Sequence, residues 1–222
     1  MEKKKTGVQV QSVARAAEIL KCFLYTPEMG ISEIAAEMDL NKSTVFGLVN
    51  TLTRYGYLEQ VESNKKYRLG ITLFEMGNLV LSRIDVRNEA KELCMPLAEK
   101  YPATVHIATH SEGEVIYIDK LDAGTSLISA SNVGKRAPMH CTGVGKAMLA
   151  YLPESYVDQY LTFPLKKLTP NTITTKQELI RELSEIRSTG IAMDKEEIED
   201  GLCCIAAPVL QKDGEPELAI SL

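Results

Sequence analysis

Apolar residues recur at helical spacing through the first hundred positions, and alternation replaces that spacing after residue 104. A first helix is predicted over residues 12–25, with Val13, Ala16, Ala17, Leu20, Phe23 and Leu24 facing a core. Pro27 and Gly30 follow it as stop signals. Ile31, Ile34, Ala35 and Met38 fall on one face of a short second helix; Val45, Leu48, Val49 and Leu52 fall on one face of a third. Asp39-Leu40-Asn41 is the turn between them, with Asn41 placed to cap the third helix. Two strand-like runs, 57–59 and 66–69, then flank the polar turn Glu62-Ser63-Asn64-Lys65. Beyond them Leu73, Met76, Gly77, Val80 and Leu81 stripe a helix over 71–83, and another helix is predicted over 86–101.

Helix, tight turn, helix and hairpin in this order is the pattern of a winged helix-turn-helix. Lys42, Ser43 and Thr44 open the third helix with a cation, two hydroxyls and free backbone N–H groups, the groups that hold phosphate at a helix start. Phe46, Gly47 and Asn50 complete the candidate DNA-binding face, with Gly47 allowing close approach to the DNA and Asn50 able to reach a base edge. Lys65, Lys66 and Arg68 make the hairpin a basic ribbon able to lie on the sugar-phosphate backbone. A helix-turn-helix used for protein contact is the competing reading of the same residues.

After residue 104 strands are predicted at 104–109, 115–118, 127–130, 203–209 and 218–222, with Glu112-Gly113 as a turn. Helices are predicted over 143–152 and from 176 to about 189, the second opened by a Thr175/Glu178 capping box. This order of elements predicts an α+β chain whose rear part is a sensor domain on an antiparallel sheet. The expected divisions are a DNA-binding domain at 1–70, a linker helix at 71–84 and a rear domain at 85–222. The linker stripe would need a second subunit or the rear domain to cover it.

Charge sharpens this division. Residues 1–70 hold ten Lys or Arg against eight Asp or Glu, whereas residues 71–222 hold 15 against 22. A weakly basic front and an acidic rear fit DNA binding by one domain only. The net charge of −5 argues against a general nucleic-acid coat. No apolar run is long enough for a membrane span, and no signal-peptide core opens the chain. Five cysteines without regular spacing suggest reduced thiols and a cytoplasmic location.

The front segments VQSVARAAEIL, ISEIAAEMDLNKSTVFGLVNTLTRYGYLE and KYRLG, followed by PMHCTGVGKAMLAYLP, LTPNTIT, GIAMDKEEIEDGLCCIAAPV and LAISL, resemble the IclR family of transcriptional regulators over nearly the whole chain. The resemblance implies a winged helix-turn-helix, a linker helix and a GAF-like effector-binding domain. It also implies dimers, often paired into tetramers, on two-fold operator DNA. A repressor controlled by a small organic acid or catabolic intermediate is the function expected from it. Two departures stand out. Phe46-Gly47 replaces the polar or aromatic residue followed by Arg that is usual in family recognition helices. The chain also stops at Ser221-Leu222, where family members continue into a helix, so the end is read as incomplete, with an exposed sheet edge.

Thr142-Gly143-Val144-Gly145-Lys146 lacks the spacing of a Walker A loop, and Ala147 stands where a Mg²⁺-binding hydroxyl is required. Two readings of this glycine-rich segment stay open: tight packing of helix on sheet, or backbone amides of Gly143 and Val144 offered to a ligand. The resemblance favours the second, and matches Asp194 and Cys204 to the family's polar pocket residues, with Ser221 on the final strand beside them. Met139 and Ile128 are candidate apolar walls. Taken without the family, Cys203 and Cys204 read as core thiols. No cofactor, metal or catalytic residue is expected. His106 and His110 are four apart, but in a strand-like run that spacing does not bring them together as it would on a helix. His140-Cys141 has no base-orienting partner in sequence.

Overall fold

A computed structural model describes residues 9–81, 85–121 and 132–222. The chain divides into two compact units, Met1–Arg83 and Ile84–Leu222.

In the first unit α1 (Gln11–Cys22), α2 (Ile31–Glu37) and α3 (Lys42–Arg54) precede a two-stranded hairpin, β1 (Leu58–Gln60) and β2 (Tyr67–Leu69), and then α4 (Ile71–Leu81). Their shared core holds Ile19, Phe23, Ile34, Val45, Val49, Leu52 and Leu58. Half of the predicted face of α1 packs into the core, through Ala16, Leu20 and Phe23. Val13, Ala17 and Leu24 are exposed, while Ile19 is fully buried. In a helix this rich in apolar residues a 3.6-residue stripe can be drawn in two registers, and packing selects the one through Ile19. The helix also ends at Cys22, which leaves Leu24 and Tyr25 on an exposed turn. Asn41 occupies the N-cap of α3 without a side-chain capping bond. The wing is held to the helices by a bridge in which Met29 and Tyr67 exchange both backbone hydrogen bonds, at 3.0 and 2.8 Å.

In the second unit α5 (Asp85–Lys100) leads into β3 (Val105–Ser111), β4 (Glu114–Leu121) and β5 (Arg136–Pro138). A 3₁₀ turn at Met139–Cys141 then enters α6 (Gly143–Leu149), α7 (Glu154–Tyr160) and α8 (Lys176–Thr189). The chain closes with β6 (Ala192–Lys195), β7 (Cys203–Leu210) and β8 (Pro216–Ser221). The sheet runs β5-β4-β3-β8-β7-β6 with every pairing antiparallel. Glu112 and Gly113 both have positive φ (55° and 82°), as a two-residue hairpin turn requires.

α6 and α8 cover one sheet face over the main core; α5 covers β3 and β4 on the other. A bulge in β4 sets Asp119 opposite Ile107 and Tyr117 opposite Ala108. Ile118 and Asp119 therefore both turn towards α5, where Arg87 reaches the Asp119 carboxylate at 3.0 Å and donates to the Ile118 carbonyl. α6, expected to run to residue 152, stops at Leu149, ahead of Pro153, which caps α7. β5, β6 and α7 are elements that the periodicity does not predict. The final strand leaves no bare edge, because β8 lies between β3 and β7. The expected strand at 127–130 lies outside the described residues.

Candidate functional site

Two sets of residues carry the candidate chemistry, one in each unit. On α3, Lys42, Ser43, Phe46, Gly47 and Asn50 are exposed together on the face opposite Val45, Val49 and Leu52, with Thr44 half-buried at the margin. In the wing the cations are less free than their number suggests. Lys66 donates to Glu33 at 2.8 Å, and Arg68 to Glu59 at 2.5 Å. Glu33 also accepts the Gly30 N–H at 2.6 Å at the start of α2. That bond, then Lys66, holds its carboxyl below the usual range. Lys65 sits exposed at the hairpin turn with φ 58°.

In the second unit a cavity of about 110 Å³ opens beside α6 and the middle of the sheet. Strand register assembles it. Asp194 on β6 lies opposite Cys204 on β7, while Ser221 on β8 pairs with Ala206 on one side and His106 on the other. Tyr117 reaches the same space from β4, its ring 5.3 Å from that of His106. Thr142, Gly143 and Val144 close it from α6; Ile198, Glu199 and Leu202 close it from the segment after β6. Gly143, Val144, Asp194, Cys204 and Ser221 are thus gathered around one space. Met139 is buried in the main core and does not line it. Ile128 lies outside the described residues.

Both α6 glycines are needed for packing. A Cβ on Gly143 would stand 2.7 Å from Cys204 Sγ, and one on Gly145 would stand 2.4 Å from the Met139 backbone. Thr142 caps the helix by accepting the Gly145 N–H at 3.2 Å. Lys146, one residue on, is fully buried and pairs with Glu197 and Glu182. Its ammonium is therefore not offered to the cavity, and no Lys or Arg is among the described residues that line it.

The cavity wall is mostly apolar, and the few polar groups in it are not nucleophilic. Burial pushes the Cys204 thiol up to about 11, against the opposite pull of the Gly143 and Asp194 backbone N–H groups, and Asp194 adds to the rise. Burial also raises Tyr117 far above the ordinary tyrosine range. Asp194 is raised to about 6, chiefly by burial, with the Glu197 charge adding to it and the Glu197 N–H bond (2.8 Å) opposing it. A protonated thiol, two hydroxyls and a carboxylate can orient a small ligand without attacking it.

Of the His and Cys candidates for catalysis, His106 and Cys204 line the cavity, while His110, His140 and Cys141 lie apart from it. His110 bonds Tyr156 Oη at 3.1 Å, and His140 Nε2 lies 3.1 Å from the Lys166 carbonyl. Burial pulls both imidazoles down. Cys141 is buried, and burial pushes its thiol up to about 12. The core-thiol reading fails for Cys203, which is exposed. Tyr117 and Glu199 were missed in sequence, and His106 was weighed there only as a metal or catalytic residue. The alternation Val115-Ile116-Tyr117 was the available signal for the first of them.

Comparison with known proteins agrees with both halves. Residues 12–62 match the IclR helix-turn-helix domain, and residues 78–222 match the family described as bacterial transcriptional regulator IclR C-terminal. The HTH-type transcriptional regulator XynR of Escherichia coli is 36% identical over 220 residues, covering 96% of this chain and 85% of that protein. The crystal structure of an IclR transcriptional regulator from Alicyclobacillus acidocaldarius aligns with a TM-score of 0.84 at 30% identity, over 96% of this chain and 87% of that one. An IclR homolog from Microbacterium hydrocarbonoxydans, solved with 4-hydroxybenzoate, has the same fold. Its TM-score is 0.79 at 24% identity, over 95% of this chain and 88% of that one.

Proposed function

The chain belongs to the IclR family of transcriptional regulators, and from that premise we propose that it is a repressor whose operator affinity is set by a small ligand in the Asp194–Cys204–Ser221 cavity. The observation that carries this is the pairing of an exposed α3 face in one unit with a small, mostly apolar cavity in the other, which a few polar, non-nucleophilic side chains enter. Lys42, Ser43, Thr44, Lys65, Lys66 and Arg68 would grip phosphates, with Phe46, Gly47 and Asn50 against the bases. With no lysine or arginine among the described lining residues, an acid would be held by the Tyr117 and Ser221 hydroxyls and the Cys204 thiol. Asp194 would accept a hydroxyl of the ligand. The effector class that suits this set is a small hydroxylated organic acid.

Operator binding as a homodimer is supported by α4. None of its residues is buried, and Ile71, Phe74, Met76, Leu79 and Val80 are exposed. The ligand would act by biasing the spacing of two recognition helices, a population shift between DNA-competent and incompetent states. The test is a thermal-shift screen of small organic acids, with hydroxylated aliphatic acids and 4-hydroxybenzoate included, repeated on Asp194→Ala and Cys204→Ala. A shift present in the parent and lost in both variants is expected. Unchanged shifts in the variants would remove the cavity from the assignment.

A further inference from the structure

Between Lys42 at its start and Arg54 at its end, α3 carries no charged residue. Its exposed face therefore has a short chemical vocabulary. Thr51 spends its hydroxyl on the Gly47 carbonyl at 2.8 Å, and Gly47 has no side chain. What remains in the middle of the helix is Ser43, Phe46 and Asn50. Phe46 is 52% exposed, while Val45, Val49 and Leu52 on the same helix are buried. The Asn50 side chain has no hydrogen-bond partner among the described residues, is exposed, and lies four residues from Phe46 on the same side.

Gly47 beside them has no explanation within the fold. A Cβ there would meet nothing within 4 Å. A mid-helix glycine costs about 1 kcal/mol relative to alanine, and no packing gain offsets it here. The cleared surface is useful only to something outside the chain that must come close to the backbone next to Phe46.

We propose that α3 reads A·T base pairs in the major groove, with Phe46 against a thymine methyl group and Asn50 bidentate on an adenine. This rests on α3 being the helix that enters the groove. Arginine and lysine are the usual guanine readers, whereas asparagine matches adenine N6 and N7, and an apolar side chain matches the thymine methyl. Lys42 and Arg54, at the two ends, are placed for phosphates. Four residues of helix span about 6 Å, against about 3.4 Å per base step, so Phe46 and Asn50 address pairs one or two steps apart. The expected half-site core is a short A/T step.

The test begins with the full-length chain and a randomised duplex library long enough for two half-sites. Selected half-sites should carry A·T pairs at their protected major-groove centre. Replacing the contacted thymine by deoxyuridine, which removes only the methyl, should weaken binding about fourfold, the worth of one buried methyl. That penalty should vanish in Phe46→Ala. Replacing the adenine by 7-deazaadenine should weaken binding about tenfold or more, and leave Asn50→Ala unaffected. G·C pairs at the half-site centre, or an undiminished deoxyuridine penalty in Phe46→Ala, would overturn the inference while leaving DNA binding intact. Failure to enrich any duplex would overturn the inference and the assignment of α3 to the groove together.

Discussion

Lys146 is fully buried and sets its ammonium on the carboxylate of Glu197, with Glu182 as a second partner at 3.0 Å. Glu197 is itself buried, and its other oxygen has no hydrogen-bond partner among the described residues. Removing one member of a buried pair strands the other, at a cost of about 3–5 kcal/mol. Lys146→Met should therefore lower the denaturant midpoint sharply. Lys146→Met combined with Glu197→Gln should recover most of the loss, since the stranded charge is gone. If the double variant were no more stable than the single one, the pair would not be the source of the effect.

Asp194 stands next to this pair and gives the second unit a pH dependence. Its carboxyl is raised to about 6, mainly by burial, from an ordinary value of about 3.9. Because the folded value lies above the unfolded one, the native state holds the extra proton between about pH 4 and 6. Stability from this group is thus greatest below pH 4, declines as pH rises through that window, and stays lost above it. The loss is on the order of 3 kcal/mol. Asp194→Asn should raise Tm at pH 7.5 relative to the parent and converge with it near pH 4. Parallel profiles for the two proteins would contradict this assignment.

The three glycines of the candidate sites separate into two kinds. Gly145→Ala would place a methyl 2.4 Å from the Met139 backbone and 2.5 Å from Thr142 Oγ1. Overpacking of this kind costs about 1–3 kcal/mol. Gly143→Ala meets the Cys204 sulfur at 2.7 Å, and should also narrow the cavity. Gly47→Ala meets nothing, and should instead stabilise α3 by up to about 1 kcal/mol. Opposite signs in chemical denaturation are the expected result; a destabilised Gly47→Ala would point to a neighbour the structure does not show.

These contrasts also mark what the residues alone could reveal. The helix-turn-helix was readable because Val45, Leu48, Val49 and Leu52 repeat at a helical period over a helix of 13 residues. The strand carrying Asp194 has only four residues, Ala192–Lys195, too short for alternation to register. Lys146 looked like part of a ligand loop because its neutralising partners lie 36 and 51 residues away. Glycine-rich loops that pack and glycine-rich loops that bind share one local pattern. At Gly143 and Gly145 the neighbours that make glycine necessary arrive only through tertiary contacts. The face of α1 was only half legible for the same reason, since only packing distinguishes the register through Ile19 from the one through Val13.

The wing offers the last test, because one carboxylate there holds two roles. Glu33 accepts the Gly30 N–H and pairs with Lys66, and both partners are substantially exposed. A pair this open adds little to stability, so its consequence lies in the charge presented to a duplex. With Glu33 in place, Lys66 approaches a phosphate already neutralised, and the carboxylate itself is repelled. Glu33→Gln should therefore tighten binding to non-specific duplex at low salt. The plot of log affinity against log salt should steepen by about one counterion. Lys66→Ala should weaken the parent and abolish the gain in a Glu33→Gln background. Anisotropy titrations at several salt concentrations would settle it, and an unchanged slope in Glu33→Gln would place Lys66 away from the phosphate backbone.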